Sequence, residues 1–377
     1  MPKLPYYFAD IAGEIERFDE RDMVFARQDL VRYFGENSAE YRSYFENKPE
    51  LESFHQKLSQ KSPLGGKNMS DAPMFRAQFR FLDLLASDDV VDGTPVEQKT
   101  KFSKKRAVEK IKATARVYGA DLVKIGPLDQ RWVYSHVGTT AGNAPGYQPW
   151  GTPIDLSGHL TAIALGFRMD QDLLSGAPYF PTMLATAQAY AESAFTAVRL
   201  ADYIRMLGFS ARAHHFSNYQ VLCVPIAVDC GMGELSRAGY LLTKEFGLGL
   251  RLSVVTTDMP LDFDEPVDIA AQSFCEQCQL CAQSCPSGAI PCGEKVPHNG
   301  VLKWKLDEQK CYAYWHVNGT DCGICMAVCP WTKPQTAFHR AMSWFASKRG
   351  PHQGWMAKGE QLVYGSYKPK EAPDYLD

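Results

Sequence analysis

The chain has 377 residues, of which 45% are hydrophobic and 22% charged, and its formal net charge is −3. This composition excludes an intrinsically disordered chain, and the near-neutral charge does not favour nucleic acid as a partner. The longest uninterrupted apolar stretch, residues 221–228, is far shorter than the roughly 18 residues that a membrane-spanning helix needs.

Helices and strands are predicted to alternate along the chain before the cysteine-rich part begins. Residues 1–103 are expected to be mostly helical. The elements predicted after them are a basic amphipathic helix over Lys104–Val117, a strand over 121–125, an excursion loop over 136–158, a strand over 160–167, a long helix over 182–207, a buried segment over 221–228 and a strand over 251–256. This alternation favours an α/β layer architecture.

The cysteines are confined to the C-terminal part of the chain. None of the eleven precedes Cys223, and the other ten lie from Cys230 to Cys329. Disulfide frameworks are typical of short secreted chains, whereas cysteines clustered in one part of a large chain indicate a metal site.

Two related cysteine motifs predict two [4Fe–4S] clusters. The first, C-x2-C-x2-C-x3-C-P, begins at Cys275 and is the ligand run of bacterial ferredoxins, in which the fourth cysteine binds the other cluster. The second, C-x2-C-x3-C-P, begins at Cys322 and has Gly319 where its first cysteine would stand, so Cys311 is the nearest replacement. The ligands predicted for cluster 1 are Cys275, Cys278, Cys281 and Cys329, and those predicted for cluster 2 are Cys285, Cys311, Cys322 and Cys325.

The alternative interpretations of these cysteines are a zinc site or a different choice of ligands. Paired C-x2-C units also form structural zinc sites, but zinc does not require the reciprocal Cys-Pro ends. Cys292 is an alternative to Cys311 as a ligand, and Cys223 is most simply a small core residue. About 270 residues precede the first motif, far more than a stand-alone electron carrier needs, which favours an oxidoreductase.

Several segments resemble the corrinoid-dependent reductive dehalogenases. The segments that carry the resemblance are GADLVKIGPLDQRWVYS (119–135), YIRMLGF (203–209), GMGELSRAGYLLTKEFG (231–247), RLSVVTTDMPL (251–261), FCEQCQLCAQSCPSGAI (274–290), CYAYW (311–315) and CGICMAVCPWTK (322–333). Their order and most of their spacings fit the family, so the resemblance covers about residues 104–337.

The resemblance implies a fold and cofactors. It implies an α/β (α+β) fold in which a nitroreductase-like core binds a base-off corrinoid, a cobamide with no protein ligand to cobalt, next to a bacterial-ferredoxin-like domain holding the two clusters. The expected organisation is an N-terminal region over 1–103, the corrinoid- and substrate-binding core over 104–270, the two-cluster domain over 271–337 and a tail over 338–377.

The resemblance also assigns roles to individual residues. Tyr190 matches the proton donor, Arg251 the cation that stabilises its anion, and Asn218 the active-site asparagine of the family. Thr186 and Trp315 match positions that line the substrate pocket. The simpler alternatives are a core tyrosine, an ordinary arginine at the start of a strand, and packing residues.

The function implied is the reductive cleavage of a carbon–halogen bond in a small organohalide by Co(I) cobamide, with electrons supplied through the two clusters. The runner-up is an epoxyqueuosine reductase, which has similar cofactors and acts on a tRNA base. A non-catalytic electron-transfer protein is the third hypothesis.

Partners and location are also implied by the resemblance alone. Members that serve organohalide respiration receive electrons from a donor protein or a quinol-linked chain, at a membrane anchor subunit, and a dimer is a possible assembly. The expected location is the extracytoplasmic face of the cytoplasmic membrane after twin-arginine export, with a cytoplasmic location as the alternative.

Overall fold

The computed structural model describes residues 11–61, 72–138, 146–333, 336–350, 352–364 and 367–376. The described N-terminal part is helical, as expected. Its elements are a 3-10 turn Glu20–Asp22, α1 Val24–Asp29, a π-helical turn Leu30–Phe34, α2 Ala39–Phe45, α3 Pro49–Ser59, α4 Ala72–Leu85 and α5 Asp88–Val91.

The middle of the chain contains the strands of the main sheet and the longest helix. Its elements are α6 Lys104–Val117, β1 Leu122–Pro127, a 3-10 turn Gln130–Trp132, β2 Thr161–Arg168, α7 Gln171–Leu174, α8 Phe180–Met206, β3 Ala211–His214, α9 Cys223–Asp229, β4 Glu234–Leu235, β5 Leu241–Leu242 and β6 Leu250–Thr257.

The cysteine-rich part consists of short elements, followed by two longer helices. These elements are α10 Ala271–Cys278, α11 Leu280–Gln283, β7 Val296–His298, β8 Val301–Lys303, α12 Glu308–Asn318, α13 Ile324–Ala327, α14 Ala337–Ala346, α15 His352–Tyr364 and a 3-10 turn Asp374–Leu376.

A four-stranded antiparallel sheet in the order β1-β2-β6-β3 forms the centre of the core. One row of side chains crosses it from strand to strand: Ile125, Ile163, Val255 and Ala213 are successive register partners and are fully buried. Together with neighbouring apolar side chains, this row packs against α6 and α8.

The other face of the sheet packs against α9. Ala162 and Ala164 of β2 and Val254 of β6 contact the cluster of apolar side chains that α9 supplies. Both faces of the sheet are therefore covered. This explains why apolar residues occupy consecutive positions in the β2 sequence, TAIALGFR, instead of alternating with polar ones.

The fold prediction is confirmed as a mixed helix and sheet architecture, with two local corrections. No strand was predicted over residues 211–220, but β3 lies there at the edge of the sheet. The buried segment 221–228 is mostly helix α9. Within the excursion loop 136–158, residues 139–145 lie outside the described residues. The domain boundaries stay a prediction.

The helices in the described ranges are either too short or too polar to cross a lipid bilayer.

Candidate functional site

The eight predicted cluster ligands line two separate cavities. Those assigned to cluster 1 line a small cavity beneath α10 together with Phe274 and Trp331. Those assigned to cluster 2 line a larger cavity of about 280 Å³. Each cavity is lined by one complete quartet, so the structure brings together the residues that the spacing predicted.

The geometry and the acidity of the cysteine thiols bear on what the two quartets can hold. Among the described residues, no three His, Cys, Asp or Glu side chains close around one metal ion. Burial raises the pKa of the Cys275 and Cys311 thiols to about 12. Such thiols keep their protons at neutral pH unless a bound metal stabilises the thiolate.

A buried arginine supports the loop that carries cluster 1. Nε of Arg237 donates to the carbonyl of Cys275 at 3.0 Å, and Nη1 donates to the carbonyls of Pro291 and Gly293 at 2.8 and 2.9 Å. The guanidinium also lies 4.4 Å from the ring centre of Trp304. This places a positive charge beside the thiolates that would hold cluster 1.

Tyr190 and Arg251 come together at the larger cavity, and both line it. Tyr190 lies in the middle of α8, and Arg251 is the second residue of β6. The guanidinium carbon of Arg251 is 5.1 Å from the Tyr190 ring centre. Because a long helix and a central strand supply the two residues, packed secondary structure fixes the separation of their backbones.

The electrostatics of Tyr190 combine two opposing effects. Burial raises the pKa of the phenol, and the nearby Arg251 cation counteracts that rise. A phenol in this setting stays protonated at neutral pH, while its anion has a cation within reach once it forms.

Thr186 lies one turn before Tyr190 but is not among the residues that line the cavity. Its hydroxyl donates to Oδ2 of Asp321 at 2.5 Å and accepts from Nη2 of Arg251 at 2.9 Å. Thr186 therefore bridges the arginine to a carboxylate. Its expected place in the lining of the substrate pocket remains untested.

Trp315 lines the cavity, as expected, and packs against Phe25, with 5.7 Å between ring centres. Tyr219, Tyr240 and Asp321 also line it. No sequence reasoning singled these three out, since nothing in their local sequence distinguishes them from core or surface residues.

The structure does not place Asn218 at this cavity. Its amide nitrogen donates to the carbonyl of Ala86 at 2.6 Å, and its amide oxygen accepts from Nη2 of Arg212 at 2.7 Å. Arg212 in turn pairs with Asp88 at 3.0 Å. These contacts tie the loop after β3 to the N-terminal helices. A catalytic role for Asn218 remains a prediction.

Comparison with known proteins identifies relatives of both parts of the chain. Residues 274–333 match the model of the 4Fe-4S dicluster domain family, which confirms the two-cluster prediction. The tetrachloroethene reductive dehalogenase of Sulfurospirillum multivorans is 34% identical over 261 residues, which are 62% of this chain and 52% of the relative. This chain thus spans about half the length of that relative.

A solved reductive dehalogenase, described as suggesting a mechanism for B12-dependent dehalogenation, has a similar fold. The TM-score is 0.72 with 24% sequence identity, over 97% of this chain and 48% of the other. The epoxyqueuosine reductase of Vibrio cholerae is 27% identical over 140 residues, only 32% of this chain and 34% of that protein, so the runner-up is not favoured. The resemblance of this chain to the reductive dehalogenases is therefore confirmed.

Proposed function

We propose that this chain catalyses the reductive dehalogenation of a small organohalide. Two electrons and one proton convert the carbon–halogen bond into a carbon–hydrogen bond and release halide. One observation supports this most strongly: the larger cavity is bounded both by the Tyr190–Arg251 pair and by the four cysteines of cluster 2. Proton supply and electron supply therefore meet in one place.

We infer that a corrinoid is the cofactor of this cavity. The lining suits such a group because most of it is aliphatic or aromatic, and its polar groups include four phenols and the side chains of Arg251 and Asp321. When bound, the corrinoid supplies a low-valent metal that delivers electrons to the carbon–halogen bond.

In this proposal Tyr190 delivers the proton and Arg251 stabilises the phenolate left behind. The phenol donates its proton to the carbon from which the halide departs. The cation near its ring lowers the free energy of the resulting anion. The mostly apolar lining of the cavity excludes water, which strengthens this electrostatic effect.

The finer proposals on partners and location come from the resemblance alone. They are electron delivery by a donor protein or a quinol-linked chain, a membrane anchor subunit, a dimeric assembly, and twin-arginine export to the extracytoplasmic face. Copurification of the natural protein with membranes and sizing of the purified protein test them.

The central experiment measures halide release. Protein loaded with corrinoid and iron is incubated with reduced methyl viologen and a panel of chlorinated and brominated compounds. We expect halide release from at least one of them, and we expect Tyr190→Phe to reduce it by at least 100-fold with corrinoid and iron contents unchanged. Unaltered turnover in Tyr190→Phe would rule out the proton donor, and no release across the panel would rule out the function.

A further inference from the structure

A carboxylate that neither motif predicted lies between the candidate proton donor and cluster 2. Asp321 directly precedes the cluster ligand Cys322, and its side chain is only 11% exposed. It is therefore attached through the backbone to the loop that holds cluster 2. A buried carboxylate is costly unless it has partners, so the groups around it have to account for it.

The partners of Asp321 are the groups already placed beside Tyr190. Its Oδ2 accepts the hydroxyl proton of Thr186 at 2.5 Å and lies 3.9 Å from Nη2 of Arg251. The same Nη2 donates to the Thr186 hydroxyl at 2.9 Å. The Thr186 hydroxyl thus donates to the carboxylate and accepts from the guanidinium, so the direction of both hydrogen bonds is fixed.

The remaining contacts of Arg251 do not position it as firmly. Within the described part of the chain, its Nη1 donates only to the sulfur of Met326, at 3.7 Å, and its Nε is buried without a hydrogen-bond partner. Sulfur is a weak acceptor. The place of the guanidinium near the Tyr190 ring therefore depends mainly on Thr186 and Asp321.

We propose that Asp321 and Thr186 are positioning residues that hold the Arg251 guanidinium beside Tyr190 and tie this pair to the ligand loop of cluster 2. This inference rests on the proposed function. The inference goes beyond the proposed function because it gives Thr186 a role other than lining a pocket. It also gives a role to Asp321, which belongs to neither cysteine motif.

The first test removes the bridging hydroxyl while conserving side-chain volume. Thr186→Val is expected to lower kcat roughly 10- to 100-fold, because small displacements of an acid pair have effects of that size. KM, iron content and both cluster potentials should not change. Thr186→Ser, which keeps the hydroxyl, is expected to restore most of kcat.

The matched control is Thr182→Val, one helical turn earlier on α8. Thr182 is also buried, but among the described residues its hydroxyl donates only to the carbonyl of Leu174 at 3.4 Å, outside the Arg251 network. This variant should keep wild-type kcat. Equal losses in both valine variants would mean that α8 simply does not tolerate the change, and would overturn the positioning role of Thr186.

A second test has a readout that does not depend on turnover. Asp321→Asn removes a negative charge beside cluster 2 but keeps the shape of the side chain. In redox titrations followed by electron paramagnetic resonance, the midpoint potential of cluster 2 is expected to shift to a more positive value while that of cluster 1 stays constant. An unchanged cluster 2 potential would overturn the link to its ligand loop.

The two tests separate this inference from the proposed function. If the wild type releases no halide, the proposed function is wrong. The midpoint potential of cluster 2 in Asp321→Asn still tests whether Asp321 is linked to the ligand loop of that cluster. If the wild type is active and Thr186→Val and Asp321→Asn are equally active, the function stands and the positioning role is wrong.

Discussion

At the scale of single residues, the charge of Arg251 should control the pH range of catalysis. Burial raises the pKa of Tyr190, and Arg251 opposes that rise. Arg251→Gln removes the opposing effect, so the pKa of the phenol increases further. In the proposed mechanism the protonated phenol is the donor, so the alkaline limb of the kcat profile is expected to move to higher pH. The maximal rate should fall, because the anion loses its stabilising cation.

Arg251→Lys is the matched variant for this prediction, since it keeps a positive charge at the same position. Its alkaline limb should shift less than that of Arg251→Gln. A profile of kcat against pH that is identical in both variants and the wild type would show that the cation does not act on the proton donor.

The reciprocal assignment of the cluster ligands can also be tested one residue at a time. Cys329→Ser and Cys311→Ser should each remove one cluster, so that iron falls from about eight to about four atoms per chain. The resonance lost should be that of cluster 1 in the first variant and that of cluster 2 in the second.

Cys292→Ser is the control for this pair, because Cys292 is exposed and contacts neither quartet cavity. It should retain all the iron. Loss of half the iron in Cys292→Ser but none in Cys311→Ser would show that Cys292, and not Cys311, is the ligand of cluster 2.

The residue scale also shows where prediction from sequence stops. The cysteine quartets were predictable because cluster geometry imposes short, regular spacings on the chain. The contact between Thr186 and Asp321 joins residues 135 positions apart and leaves no such pattern. Asn218 was assigned by resemblance, but its amide nitrogen donates to the carbonyl of Ala86, 132 positions away, which only tertiary structure brings near.

At the scale of elements, the pattern of apolar residues predicted the long elements better than the short ones. Strands β1, β2 and β6 and helix α8 lie within a few residues of their predicted bounds. Strand β3 was missed because it reads ARAH, and its two polar residues are buried through specific partners. Helix α9 was left undefined because a short apolar run suits a buried helix and a buried strand equally.

Burial of β2 on both faces makes its side chains costly to truncate. Leu165 is fully buried between the sheet and the helices, so Leu165→Ala should lower the free energy of unfolding by about 2–5 kcal/mol. Leu160, just before the same strand, is 68% exposed, so Leu160→Ala should change it by less than about 0.5 kcal/mol. Urea unfolding followed by circular dichroism measures both, and similar losses would contradict the two-sided burial.

At the scale of the whole molecule, the core and the cluster region are joined by a close contact at Gly247. Leu248 donates its backbone N–H to Oγ1 of Thr332 at 2.8 Å, just after the Cys329-Pro330 end of the second motif. A Cβ built on Gly247 would lie 2.4 Å from the carbonyl carbon of Trp331. The backbones of the two regions therefore meet with no room for a side chain.

Gly247→Ala should consequently disturb both regions. Its φ of +58° alone costs an alanine about 1–2 kcal/mol, and the clash adds to this cost. We expect a lower unfolding midpoint and partial loss of the iron of cluster 1. Gly288→Ala is the control, because its φ is +63° and nothing lies within 4 Å of the added carbon. If both variants behave alike, the contact is not what joins the regions.

The origin of the cavity walls has a consequence for how such an enzyme could diversify. Tyr190 and Arg251 come from α8 and β6, whereas Tyr219 comes from the loop after β3 and Phe25 comes from the N-terminal helices. Changes outside α8 and β6 can therefore alter the shape of the cavity without displacing Tyr190 or Arg251. If the proposed function is right, exchange of the loop after β3 between homologues should change which organohalides react, while the dependence on Tyr190 persists.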